Sequence, residues 1–298
     1  MATYDVTASP IKINDVTKIM GKISLFRKIN ILSFLRRLNS TVDSTETEKF
    51  SLSLKEWWDD RKGPAAALHS MNTVRVPLIK EALIGTRDEA GELGPHPLKG
   101  FSILDVGCGG GILCESLGEL GSDVLGIDPN PVAINVATTH LMLTKNSSDI
   151  KDRVKYQSCS LEDLIKADSE PIDTDSSSED FDCVVASEVL EHVADVDMFV
   201  HQLSQMAKPG GSVVFSTINR TIPSLFLAKM AAEYIFNILP RGTHDWNKFV
   251  TPEELDEIVK RHSMSTVSVI GLGYNPLTNV WNYQSDTNMN YFLHAIKQ

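Results

Sequence analysis

Three side chains with ligand chemistry stand close together at Glu188, Glu191 and His192, in the stretch SEVLEHV that follows the apolar run from Phe181 to Ala186. On a helix, their i, i+3, i+4 spacing spreads them over an arc of about 100°, so two carboxylates and an imidazole could meet on one cation. Carboxylates suit a hard ion such as Mg²⁺, and the imidazole makes Mn²⁺, Fe²⁺ or Zn²⁺ equally conceivable. The same pattern also describes a plain helix start, because acidic side chains are favoured at the positive end of a helix dipole. From the residues alone both readings stand.

A second constellation lies upstream. The run ILDVGCGGGILCESL carries Asp105 at the end of an apolar strand pattern, then Gly107, Gly109, Gly110 and Gly111 before a helical pattern. Glycines at such a turn let the backbone and the helix start approach a ligand closely. Asp128 closes the next strand pattern 21 residues after Gly107, where a carboxylate can accept hydrogen bonds from both hydroxyls of a ribose. Together they point to an adenosine-type cofactor. A dinucleotide fingerprint would require glycine at 112, and Ile112 stands there, so a nicotinamide-dependent oxidoreductase is disfavoured. The segment SCSLEDL at 158–164 could meet an adenine amino group or simply cap a helix, and no residue there is assigned.

The elements that must position these groups alternate from residue 101 onward. Strand patterns at 101–106, 123–128, 154–159, 181–186 and 212–217 are separated by helical patterns at 110–119, 130–144 and up to about 207. Such alternation requires a mostly parallel sheet covered on both faces, a doubly wound α/β domain. A helix at 251–261, opened by Thr251-Pro252-Glu253-Glu254, precedes strand patterns at 264–272 and 290–297. With no helix between them, these two strands are expected to form an antiparallel hairpin at the sheet edge.

The chain has 298 residues and a net charge of −11, which argues against nucleic-acid binding, since that needs a dominant basic surface. Residues 1–40 differ: seven lysines and arginines, from Lys12 to Arg37, face only Asp5 and Asp15 and are interleaved with Leu, Ile and Phe. That pattern reads as an amphipathic mitochondrial transit segment, with a floppy basic tail as its alternative. The expected organisation is a basic N-terminal segment at 1–48 and one globular domain at 49–298, interrupted by an acidic, Ser-rich loop at 169–180. Cys108, Cys114, Cys159 and Cys183 form no CxxC pair and read as buried thiols of a reducing compartment.

DVGCGGG followed by GID, with the later KPGG turn at 208–211, resembles the class I S-adenosylmethionine-dependent methyltransferases. Adding EWWDD at 56–60, LHSMNTVR at 68–75, SEVLEHV, STINRT at 216–221 and PRGTHDWNKF at 240–249, the chain from about residue 50 resembles the O-methyltransferases of ubiquinone biosynthesis. The resemblance implies a Rossmann-like, seven-stranded, mostly parallel sheet with an antiparallel edge hairpin, and methylation of a ring hydroxyl on polyprenylated catechol or phenol intermediates. It places Arg75 on the carboxylate of S-adenosylmethionine, Gly107 at the glycine turn, Asp128 on the ribose and Ser187 beside the cofactor. It makes Glu188, Glu191 and His192 ligands of a divalent metal, with Mg²⁺ favoured. It also implies other ubiquinone biosynthesis enzymes as partners and a peripheral place on the matrix side of the mitochondrial inner membrane. Another small phenol is the alternative substrate. Trp57 and Trp58 could roof the substrate or pack an N-terminal helix, and His244 with Asp245 is an alternative source of a base.

The segment IPSLFLAKMAAEYIFNILP at 222–240 carries Lys229, Glu233 and Asn237 at steps of four, with apolar residues on nearly every other side. As a helix, 225–239 would reach about 22 Å, short of the roughly 30 Å that a bilayer core requires. It suits a helix lying in the interface, with Arg220 and Arg241 toward anionic headgroups, and equally a buried core or dimer helix. On the interfacial reading, cardiolipin-containing liposomes will bind the protein in a flotation assay and Phe226→Glu with Phe236→Glu will release it. Undiminished binding by that double variant would refute the reading.

Overall fold

The computed structural model describes residues 56–85, 94–144, 148–169, 180–221 and 248–298, all within the compact unit Thr41–Gln298. The basic N-terminal stretch, nearly all of the acidic loop, the segment 222–240, and His244 with Asp245 lie outside the described residues.

Helix α1 (Ala66–Ile84) leads into an alternation of β1 (Ser102–Val106), α2 (Ile112–Glu119), β2 (Asp123–Asp128), α3 (Pro131–Leu143), α4 (Ser148–Arg153), β3 (Val154–Ser158), α5 (Leu161–Ser169), β4 (Phe181–Ser187), α6 (Val196–Met206) and β5 (Ala207–Ile218). The chain closes with α7 (Pro252–Arg261), β6 (Met264–Asn275), β7 (Val280–Gln284) and β8 (Asn290–Lys297). The strands form one sheet in the order β3-β2-β1-β4-β5-β8-β6-β7. β1 to β5 are mutually parallel, whereas β8 runs antiparallel to both β5 and β6.

The α/β alternation is therefore as the sequence pattern predicts, and the last three strands refine it. The sheet has eight strands among the described residues, not seven. The segments 264–275 and 290–297 do pair antiparallel, but β8 sits inside the sheet and the edge hairpin is β6 with β7. β7 has only five residues, of which Trp281 alone is buried, so its apolar pattern is too short to stand out in the sequence. α7 opens with the expected capping box, in which Thr251 and Glu254 bond each other's backbone N–H groups.

Two apolar clusters cover the two faces of the sheet. One gathers Leu104, Val184, Ala186, Phe215, Tyr291 and Leu293 with residues of α6 and α7. The other gathers Ile103, Cys183, Val185, Val214 and Phe292 with residues of α1 and α2. Alternation along each strand thus assigns its last residues to a face: Ser187 and Ser216, directly opposite each other in the β4–β5 register, turn toward α1, and Thr217 turns the other way. The chain reverses its direction of sheet growth between β1 and β4, and the carboxyl ends of strands at such a switch point form the crevice in which α/β proteins hold ligands. Because β8 is antiparallel, its first residue, Asn290, opposite Ile218, lies at that same end.

Phe292 is 2% exposed at the centre of this arrangement. Phe292→Ala is expected to lower stability by about 3–5 kcal/mol in urea denaturation; a loss below about 1 kcal/mol would contradict a central, tightly packed β8.

Candidate active site

A pocket lies over the ends of β1, β2 and β4, lined by Trp57, Arg75, Asp105, Gly107, Gly109, Asp128, Asn130, Cys159, Glu162, Ser187, Glu188 and His192, among others. All four residues expected to hold the cofactor are brought together in it, together with two of the three expected metal ligands.

Gly107 has φ +75°, and a Cβ there would come within 2.6 Å of Val189. Gly110 is covered instead by Trp57, whose ring a Cβ would meet at 2.3 Å. The absence of side chains is what these positions require. Their backbone donors are largely used within the protein: the N–H groups of Gly107 and Cys108 bond to the carbonyl of Ile127, and that of Gly109 bonds to Asp128 at 3.0 Å. The glycines therefore serve the site by allowing close approach. α2 starts at Gly111 without a side-chain cap, which leaves first-turn donors able to meet an anion.

Asp128 accepts the N–H of Gly109 on one oxygen and that of Asn130, at 2.8 Å, on the other. Both carboxylate oxygens are fixed at the pocket wall with further lone pairs to offer. Burial pushes its carboxyl up from the usual range, and the two backbone bonds oppose that shift.

Arg75 is not a solvated surface arginine: it is 4% exposed. Its Nε donates to Asn72 at 2.6 Å, Nη1 to the Ser187 hydroxyl at 2.9 Å and Nη2 to the carbonyl of Leu68 at 3.3 Å. Burial lowers its affinity for a proton, while the charges of Asp105 and Glu188 raise it. Asp105, noted in the sequence only as a strand end, is buried against this cation and accepts the Cys114 thiol at 3.0 Å. Burial is the main reason its carboxyl is raised to about 6, with Cys114 and Arg75 opposing.

The SEVLEHV stretch corrects one expectation. It is not a helix face: Glu188 has φ +57°, and only Leu190–His192 form a single 3₁₀ turn. A left-handed non-glycine residue after β4 redirects the chain, so helical spacing does not apply. Glu188 accepts Ser216 Oγ at 2.8 Å and Asn290 Nδ2 at 3.3 Å; Glu191, 5% exposed, accepts Thr217 Oγ1 at 2.7 Å. Burial, then the neighbouring Glu191 charge, pushes Glu188 up to about 8, against the bond from Ser216 and the charges of Arg75 and His192. Among the described residues no three ligating side chains form a ready-made metal set. The donors nonetheless fit a hard divalent ion in type and charge: two carboxylates held close enough to repel, with His192 on the pocket wall beside Glu188.

The tryptophans, expected either to roof the substrate or to pack the N-terminal helix, are packed, and Trp57 also lines the pocket. Trp57 packs with Ala65, Ile112 and Ala133, and Trp58 stacks on His140 at 3.4 Å while its indole N–H bonds the carbonyl of Gly110. The tryptophan pair clamps the glycine turn. Cys114 and Cys183 are buried as expected, whereas Cys108 and Cys159 are partly exposed at the pocket wall.

A sheet of this order, with a ribose-type acid after β2 and a glycine turn after β1, defines the class I methyltransferase architecture. Solved structures agree at the level of fold. A magnesium protoporphyrin IX methyltransferase from Synechocystis with bound SAH is 15% identical with TM-score 0.51, covering 78% of this chain and 84% of that one. A SAM-dependent methyltransferase from Thermotoga maritima, a possible histamine N-methyltransferase, is 13% identical with TM-score 0.51, covering 85% and 99%. A family profile described as a methyltransferase domain matches residues 78–269.

Sequence relatives are more specific. The mitochondrial ubiquinone biosynthesis O-methyltransferase of Mus musculus is 44% identical over 259 residues, 87% of this chain and 66% of that protein. The ubiquinone biosynthesis O-methyltransferase of Azorhizobium caulinodans is 40% identical over 256 residues, 86% of this chain and 94% of that protein. The chain spans just under two thirds of the mouse relative's length and nearly all of the bacterial one. It belongs to the ubiquinone biosynthesis O-methyltransferase family of S-adenosylmethionine-dependent methyltransferases.

A buried acid whose folded pKa lies above its unfolded value binds extra protons when folded, so its share of stability is present at low pH and is lost as pH rises through the folded value. For Asp105 that window runs from about 4 to about 6. Without cofactor, the stability of Asp105→Asn relative to the parent is expected to rise by about 2 kcal/mol between pH 4 and 7, measured by urea denaturation. A pH-independent difference would refute the shift.

Proposed function

We propose that this chain transfers the methyl group of S-adenosylmethionine to a ring hydroxyl of polyprenylated catechol or phenol intermediates in ubiquinone biosynthesis. The observation that carries the reading is the junction in one pocket of a cofactor end, made by Arg75, Gly107, Asp128 and Ser187, with Glu188 and His192; Glu191 is buried just behind that wall, on Thr217. The names of relatives covering most of the chain supply the substrate class.

On this reading Arg75 pairs with the cofactor carboxylate through its planar, fixed donors, and Asp128 accepts the ribose hydroxyls. Ser187 holds the Arg75 guanidinium in place at the end of β4. The cofactor supplies an electrophilic methyl on a sulfonium, and the acceptor must be a phenolate although a phenol's pKa is near 10. A divalent ion, Mg²⁺ by preference, would be held by Glu188, Glu191 and His192, and supplies the Lewis acidity that lowers the pKa of a catechol hydroxyl. The tryptophan clamp keeps the glycine turn rigid beneath the donor, which serves the near-attack geometry that an in-line displacement demands.

The remaining parts of the proposal rest on sequence. The domain runs from 49 to 298 behind a basic segment at 1–48, and the protein works at the matrix side of the mitochondrial inner membrane, as the mitochondrial names of mammalian relatives support. Among the described residues no helix is long and apolar enough to cross a membrane; the apolar pattern of 222–240 in the sequence is the basis for proposing peripheral contact there. Other enzymes of the pathway are its expected partners.

Purified protein with methyl-labelled S-adenosylmethionine and a short-chain prenylated dihydroxybenzoate should transfer label, lose transfer in EDTA and regain it with Mg²⁺, Mn²⁺ or Zn²⁺. Transfer indifferent to EDTA would remove the metal and keep the methyltransferase. Equal transfer to soluble phenols would replace the prenylated substrate.

A further inference from the structure

STINRT at 216–221 begins with Ser216, close to the end of β5. Ser216 is 1% exposed and has two partners: the Ser187 hydroxyl at 2.8 Å and Glu188 Oε1 at 2.8 Å. A hydroxyl carries one hydrogen. With that of Ser216 given to Glu188, Ser187 must donate to Ser216, and Ser187 in turn accepts from Arg75 at 2.9 Å. A one-directional chain thus runs from the guanidinium that faces the cofactor end, through two hydroxyls on neighbouring strands, to a carboxylate of the acid pair. Asn290 holds the other oxygen of Glu188 from β8.

We propose that Ser216 is a positioning residue that couples the cofactor end of the pocket to its acidic end, and that Ser216 and Asn290 together orient Glu188 for a divalent cation. This rests on the reading of Glu188 and Glu191 as cation ligands. Groups that fix a ligating carboxylate from behind govern metal affinity by about 10- to 100-fold. The sign of the coupling follows from charge. A carboxylate on Arg75 cancels the positive charge that offsets Glu188, so the acid pair gains more from a cation; by reciprocity the cation tightens binding at Arg75. Ser216 ties the two groups in one geometry: its hydroxyl meets both Ser187 and Glu188, and its carbonyl accepts the Glu188 N–H at 2.8 Å.

The test is binding, without turnover. S-adenosylhomocysteine affinity is measured by calorimetry in EDTA and in saturating Mn²⁺, and Mn²⁺ affinity by electron paramagnetic resonance, for the full chain and its Ser216→Ala, Ser216→Thr and Asn290→Leu variants, each checked for a native melting transition. In the parent, Mn²⁺ should tighten S-adenosylhomocysteine binding about fivefold or more. Ser216→Ala should weaken Mn²⁺ about tenfold and shrink the tightening below about twofold, with Ser216→Thr restoring both. Asn290→Leu, which keeps the size but removes the donor, should weaken Mn²⁺ about tenfold and leave S-adenosylhomocysteine affinity in EDTA unchanged. Parental Mn²⁺ affinity in folded Ser216→Ala and Asn290→Leu would overturn this inference while leaving the cation reading intact. No Mn²⁺ binding by the parent would overturn both.

Discussion

The buried guanidinium of Arg75 is the group around which the site is organised. A cation removed from water must be hydrogen-bonded and electrically balanced, or its cost exceeds anything that packing returns. Arg75 meets the first requirement within α1, through Asn72 and the carbonyl of Leu68, and across to β4 through Ser187. It meets the second through Asp105 and Glu188. The Ser187 bond ties α1 to the end of β4, and charge ties it to Asp105 on β1, so the helix that precedes the sheet in sequence becomes a wall of the pocket. Asn72 has its own anchors, the carbonyl of Ile112 and the hydroxyl of Ser116 on α2, which extend the same tie to the helix under the glycine turn.

One cation does not balance the acids around it. Asp105, Asp128 and Glu188 are each desolvated, and each carboxyl lies above its usual range with burial as the largest cause. An acid-rich, water-poor pocket is complementary to positive ligands. S-adenosylmethionine brings a sulfonium and an ammonium group, and a divalent ion would add two further charges at Glu188 and Glu191. The electrostatics thus favour the positively charged cofactor that family membership implies, for a reason independent of it. The left-handed backbone at Glu188 belongs to this arrangement. It is costly for a residue with a Cβ, and it turns the chain so that two successive acids of SEVLEHV reach donors on β5, Ser216 and Thr217, which point to opposite faces of the sheet.

The parts of this structure legible in the sequence are those that depend on local periodicity. The strand and helix patterns from β1 to β5 follow from alternation of apolar runs, and the glycine turn and Asp128 follow from their place at strand ends. What was illegible depends on single backbone conformations or on distant pairs. The spacing of Glu188, Glu191 and His192 suggested a helix face because nothing in residue type announces φ +57° at a glutamate. Ser216 and Asn290 lie 28 and 102 residues from Glu188, and no local pattern connects them. Asp105 could have been found: an acid at the end of an apolar strand, directly before a glycine turn, has no neighbour in sequence to share its burial. Trp58 is intermediate, since aromatic pairs near a chain's first helix suggest packing, but the contact with Gly110 requires the fold.

The placement of β8 explains how the last strand of the chain reaches the acid that ends the pocket, through Asn290 on Glu188. Parallel strands present only their carboxyl ends to the switch point, so each contributes a residue just before a loop turns away. An antiparallel strand inserted between β5 and β6 presents its amino end there instead, and Asn290 reaches Glu188 as the strand's first residue rather than its last. β8 is also apolar on both faces, contributing Tyr291 and Leu293 to one cluster and Phe292 to the other, which fixes its register against β5. A one-residue slip would exchange the two faces and carry Asn290 away from Glu188. The precision of a polar contact at the pocket therefore derives from apolar packing along the whole strand, and the site inherits its geometry from the core.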